Sequence, residues 1–332
     1  MTFLESCDPG VLIIAYRRAD NVRKILSECL NSGINRIYIT IDSPRSHEYD
    51  EIEDVQKVKD VISEFKLQTG KGIEIHSRAA LRNLGCAVSV LSGCDWAFNS
   101  ETELIVIEDD CIPSRKFFDF YRMYSVDINA AKNVYLVCGT QFAPNYLVGQ
   151  SGLLSKYPLT WGWGTNRESW YEIREIFLET KKMKVIFEDL FAATPESAYW
   201  RAAKRRALLG ITDVWDSVVV EFMLRRNLLA VLPPRNFILN NGNDSVATNV
   251  PSDSMWTHYS TLSEFDIERN NLVRRLDIEK WIRENCYRIK FRHLFSTKVT
   301  LFLDLLFHKR HKFKSTLRER LLRADEFETI WP

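Results

Sequence analysis

Strand-like apolar runs alternate with amphipathic helical stretches over the first 140 residues, which predicts an α/β fold: a mostly parallel sheet flanked on both faces by helices. Two further observations agree with it. A hydrophobic content of 45% in 332 residues is ample for a large core. The most acidic motif, IEDD, follows directly on an apolar run, at the kind of strand end where open α/β sheets bind ligands.

The elements follow in order. VLIIAY (11–16) reads as the first strand, and residues 20–30 place Val22, Ile25, Leu26 and Cys29 at helical spacing with Asp20 as a candidate N-cap. RIYITID (36–42) is a second strand, 52–65 an amphipathic helix, GIEIHS (72–77) a third strand and 84–98 a helix. ELIVIE (103–108) is the fourth strand, 113–125 a helix and VYLVCG (134–139) the fifth strand. After residue 140 the pattern loosens into aromatic loops. Helices resume at roughly 196–209 and 213–226, and LLAVLP and NFILN form a short strand pair across Pro233 and Pro234. Residues 243–260 read as a loop, and from Leu262 onward the pattern is helical and basic. The expected division is a catalytic-type α/β domain over 1–260 and a C-terminal helical extension over 261–332.

Charge supports that division. Residues 288–323 hold eleven Lys or Arg against two acids, a charge of +9; with +1 overall, the remainder carries −8. The seven cysteines are odd in number and contain no C-x-x-C pair, which argues against a zinc knuckle or a disulfide framework and fits a reducing compartment. MTFLESCDPG has neither a basic nor an apolar signal-peptide region, and VTLFLDLLF (299–307) is too short to span a membrane. The expected location is cytoplasmic. The tail interleaves aromatics and leucines with basic residues, a composition that suits either an anionic membrane surface or a helical cap with a solvated basic face. No nucleic-acid recognition motif accompanies it.

Three consecutive carboxylates, Glu108, Asp109 and Asp110, repel one another unless a cation or a set of donors meets them. A hard divalent cation, Mn²⁺ or Mg²⁺, commonly takes one or two carboxylates plus substrate phosphates. The structural alternative is a helix start, with Asp109 and Asp110 at the positive end of the following helix. In ITDVWDSVVVEFML, Asp213 and Asp216 stand three apart, so either is a candidate general base or an N-cap and N3 pair. TWGWGTNRESW (160–170) sets three tryptophans beside two glycines, a composition suited to stacking on sugar rings; Trp170, at helical spacing, reads as core.

In order and spacing, VLIIAYRRADNV, IDSPR, RNLGCAVSV and IEDDCIPS resemble the signatures of nucleotide-sugar glycosyltransferases of the GT-A fold, over residues 10 to about 250. The E-D-D form is similar to that of N-acetylglucosaminyltransferase I, and the segment from Asp213 to Asp216 resembles the D-x-W-D motif of bacterial family-2-like transferases that build surface polysaccharide. The resemblance implies an inverting, metal-dependent transfer of a hexose from a nucleotide-sugar, UDP-linked, to a hydroxyl of a glycan or lipid-linked saccharide. It implies that Ala15, Tyr16 and Arg17 sit beside the nucleoside, Asp42 meets the base, Arg82 faces the donor, and Glu108 and Asp109 contact its sugars. Asp110 becomes the metal ligand, with His258 as a second candidate late in the domain, although the relatives carry their histidine where this chain has Asn249. Asp216, narrowly ahead of Asp213, becomes the base, and Trp161, Gly162 and Trp163 hold the acceptor. Two alternatives stand beside this: a sugar-phosphate nucleotidyltransferase, whose G-x-G-T-R loop is replaced here by the glycine-free AYRRADN, and a non-catalytic glycan-binding protein derived from a transferase.

Overall fold

The computed structural model describes residues 8–45, 49–131, 133–144, 149–178, 194–242, 266–290, 315–324 and 326–330, together with 295, 299 and 303. Its centre is built by β1 (Gly10–Ala15), β2 (Arg36–Ile41), β3 (Glu74–Ala80) and β4 (Glu103–Glu108), parallel neighbours in the order β3-β2-β1-β4. Every residue of β1 is buried, which explains a continuous apolar run in place of an alternating one. Val11 and Ile13 pack with α1 (Ala19–Asn31), α2 (Tyr49–Gln68) and α4 (Arg115–Ala130) on one face. Leu12 and Ile14 pack with α3 (Cys86–Ala97), α5 (Arg167–Leu178) and α7 (Asp216–Arg226) on the other. Each such side chain, removed wholly from water, stabilises the fold by about 1.5–3 kcal/mol.

Beyond β4 the sheet continues through β8 (Trp163–Asn166), β6 (Val134–Cys138), β9 (Leu229–Leu232) and β7 (Leu153–Ser155). β8 runs antiparallel to both neighbours, so β6 and β9 regain the direction of β1. At the opposite edge β11 (Phe327–Thr329) pairs antiparallel with β3. Six of the nine strands in this sheet therefore point the same way, a Rossmann-like arrangement. The helix α6 (Pro195–Leu208) opens on a capping box from Thr194 and Ser197 and packs beside α7.

Three local expectations are corrected. Asp20 lies in the first turn of α1, whose N-cap is Arg18. LLAVLP and NFILN do not pair: the first supplies β9 of the main sheet, while β10 (Ile238–Asn240) pairs antiparallel with β5 (Cys111–Pro113), a strand hidden from periodicity by its three-residue length. The described parts of 261–332 are also not all helical. They comprise α8 (Leu276–Trp281) with a π-turn at Ile282–Cys286, α9 (Leu317–Leu322) and β11, and they share the main core through Ile278, Ile282, Leu317 and Leu321. β11 closes the edge by stacking Phe327 at 3.6 Å on the Arg78 guanidinium, which also lies 4.6 Å from the Trp96 ring. Most of the basic stretch between α8 and α9, and residue 260 itself, lie outside the described residues. Among the described residues no helix is long and apolar enough to cross a membrane.

Candidate active site

A cavity of about 570 Å³ opens where β1, β2 and β4 end, walled also by the start of α3, the turn before α7 and the loop before β8. Ala15, Tyr16, Asp42, Glu108, Asp109, Asp110, Trp161, Asp213 and Asp216 all border it. Residues far apart in the chain thus meet because parallel strands deliver all their carboxyl ends to one rim.

Asp42 follows the last residue of β2 and is 7% exposed. Its Oδ1 accepts the amides of Ser43 at 2.9 Å and Leu84 at 2.7 Å; its Oδ2 accepts Gly85 N at 2.8 Å and Asn83 Nδ2 at 3.2 Å. Burial outweighs these donors and pushes the carboxyl up to about 6. Asp42 therefore anchors the 83–85 loop as well as facing the cavity.

The acidic triplet divides its work. Glu108, paired in register with Ile14, ends β4 and accepts Trp215 Nε1 at 3.4 Å and the Cys86 thiol at 3.6 Å. Burial, then the neighbouring Asp110 charge, pushes it up to about 8. Asp109 turns inward: its Oδ2 accepts the amides of Tyr16 at 2.8 Å and Arg17 at 3.2 Å, and its Oδ1 pairs with Arg18 at 2.9 Å. Both oxygens are engaged by the loop after β1, so Asp109 holds that loop as well as bordering the cavity. Asp110 accepts the Cys111 thiol at 3.0 Å and is held above the ordinary carboxylate range by burial and by Asp109. The backbone of Gly242 passes so close that a Cβ there would lie 2.6 Å from Asp110 Oδ2.

The two candidate bases separate cleanly. Asp213 is buried; its Oδ2 accepts Cys86 N at 2.9 Å, while its Oδ1 accepts Ala87 N at 3.4 Å and pairs with the Arg320 guanidinium at 3.2 Å. It caps α3 from across the molecule, so its expected place as N-cap of its own helix is corrected, and both of its oxygens are engaged by these donors. Asp216 is the first residue of α7, not the third, with Trp215 as N-cap. Its side chain accepts only the adjacent Ser217 amide, at 2.7 Å, among the described contacts. It is open to cavity solvent yet enclosed by protein beyond, and that enclosure raises its carboxyl above the ordinary range.

The tryptophan loop also divides. Trp161 borders the cavity, edge-on to Phe142 at 5.0 Å. Trp163 does not reach the cavity. It is 1% exposed in β8, packed at 5.1 Å against Trp215 and 6.1 Å from Trp170, so its role as an acceptor platform is corrected to buttressing the indole that holds Glu108. Gly162 packs against Ile238. Arg17 is drawn off to Glu51 at 3.1 Å and Asp54 at 2.8 Å, and Arg82 is an exposed side chain bonded to the Arg323 carbonyl; neither borders the cavity. His258 and Asn249 lie outside the described residues.

Sequence reasoning missed Arg18, Arg45, Ser89, Trp215, Gly242 and Tyr287 in the wall. The pair Arg17-Arg18 offered no signal for which cation turns inward.

Among the described residues no three His, Cys, Asp or Glu side chains converge as a metal cage. Glu108 and Asp110, both facing the cavity without an ion pair among the described residues, and with the Asp110 charge raising Glu108, fit instead a hard cation that takes the rest of its ligands from phosphate and water.

The sequence matches no protein-family model and no curated protein. Among solved structures it is similar to mannose-1-phosphate geranyltransferase from Thermus thermophilus, at 10% identity and a TM-score of 0.35, over 68% of this chain and 74% of that one. A likeness so loose carries no functional argument, and the Rossmann-like α/β class rests on the strand order itself.

Proposed function

We propose that the protein is a metal-dependent glycosyltransferase of GT-A type that moves a hexose from a nucleotide-sugar, UDP-linked, to a hydroxyl of a glycan. The observation that carries this is one cavity at the strand ends holding two separate carboxylate functions: Glu108 with Asp110, and Asp216 on the α7 side, free of any ion pair among the described residues. Glu108 and Asp110 would hold Mn²⁺ or Mg²⁺, and the ion, when bound, neutralises the charge on the departing diphosphate. Asp216 takes the proton of the acceptor hydroxyl as it attacks the anomeric carbon, and its raised carboxyl brings its basicity nearer to the working pH. Such an attack from the face opposite the leaving group inverts the anomeric centre. Trp161 offers an indole to the acceptor ring, and Trp161 with Phe142 and Tyr287 gives the cavity an apolar side that excludes water.

A second reading, a sugar-phosphate nucleotidyltransferase, uses the same architecture. Its triphosphate needs a cradle of free amides after β1, and here Asp109 accepts the Tyr16 and Arg17 amides. The two readings release different products. UDP freed from a UDP-sugar with Mn²⁺, and lost in Asp110→Ala, supports the transferase; pyrophosphate freed from UTP and a sugar 1-phosphate supports the second. Glycan binding without either release marks a non-catalytic protein, and no nucleotide binding at millimolar donor removes both enzymatic readings.

A further inference from the structure

We infer that Arg320, in the C-terminal segment, is a positioning residue for the donor side of the cavity, which makes that segment a working part of the site; this rests on the sugar-nucleotide reading above. Arg320 pairs with Asp213 at 3.2 Å through both terminal nitrogens, and one of them also donates to the Leu84 carbonyl. The pair is almost dry, with side chains 10% and 6% exposed. Asp213 in turn accepts Cys86 N and Ala87 N, and the next amides upstream, Leu84 N and Gly85 N, donate to Asp42. The run from Asn83 to Ala87 is therefore held between two carboxylates, and one of these is held by a single guanidinium.

Gly85 shows how closely the parts interlock. Its φ is +78°, and a Cβ there would strike both the Asp213 carboxylate and an Arg320 nitrogen. No side chain fits between loop and clamp. Since Asn83, Gly85 and Cys86 form cavity wall, with Asp42 bonded directly to that run, a shift of Arg320 is passed to the wall that meets the donor. A lysine carries the charge on one nitrogen and cannot hold Asp213 twice while also serving the Leu84 carbonyl.

The test compares the full-length protein with Arg320→Ala and Arg320→Lys by amide hydrogen exchange and by calorimetric titration with UDP in the presence of Mn²⁺. Expected in Arg320→Ala is exchange about tenfold faster or more at residues 84–87, with β1 and β4 amides unchanged. UDP affinity should fall by about tenfold or more, with Arg320→Lys intermediate. Uniformly faster exchange across the sheet would make Arg320 a stability residue only and overturn the proposal. So would local loosening with unchanged UDP affinity. Absence of UDP binding by the unaltered protein would strike the sugar-nucleotide reading, and the exchange pattern would still decide whether Arg320 holds the wall.

Discussion

The charge on Asp42 should cost the native state stability, and the cost can be worked from its surroundings. Its carboxyl is moved from an ordinary 3.8 to about 6 by burial. A carboxyl raised on folding contributes stability that is full below pH 3.8 and is lost as pH rises through 6. A shift of this size corresponds to about 3 kcal/mol in all, of which about 2 kcal/mol is lost between pH 4.5 and 7.5. Asp42→Asn removes the titration. Its amide oxygen keeps Ser43 N and Leu84 N, but its nitrogen faces the Gly85 amide, and that unpaired donor costs about 1–3 kcal/mol at every pH. Urea unfolding of both proteins at the two pH values cancels every other titrating group. The variant, relative to the parent, should be more stable at pH 7.5 than at pH 4.5 by about 2 kcal/mol. Parallel pH profiles for the two proteins would refute burial of the Asp42 charge as the physical account.

Other outcomes follow from the same geometry. Asp216→Asn should lower kcat by roughly 100-fold or more with donor binding by calorimetry unchanged, because only the proton acceptor is lost. Trp163→Ala should cost about 3–5 kcal/mol in denaturant unfolding, whereas Trp161→Ala, at a half-buried indole, should cost less and raise the acceptor KM. Mg²⁺ or Mn²⁺ should raise the melting temperature at about pH 8.5 more than at about pH 5.5. Glu108, moved up to about 8, is neutral at the lower pH and charged at the higher one, where its burial costs stability that a cation restores; Asp110→Ala should erase the gain.

Much of the scaffold was legible in the order of residues. Mostly apolar runs of five or six residues between amphipathic stretches identify β1, β2, β4, β6 and the helices between them, because strands buried on both faces have no polar side to interrupt them, whereas β3 lies toward the sheet edge and carries exposed Glu74 and His76. The strand-end position of IEDD followed from the same pattern. β5 and β7, three residues each, are too short to show any period, and β11 is set by its partner strand.

The residues alone thus determined the α/β class, the rim on which chemistry is to be sought, and the set of acids from which its agents are drawn. Only the tertiary structure decided which donors each acid meets. Asp109 and Asp213 differ from Asp110 and Asp216 in no local feature of sequence; what separates them is whether amide and guanidinium donors from elsewhere in the chain arrive at their oxygens. Those donors come from residues such as Arg320, which lies 107 positions from Asp213, a distance that no local pattern of sequence spans.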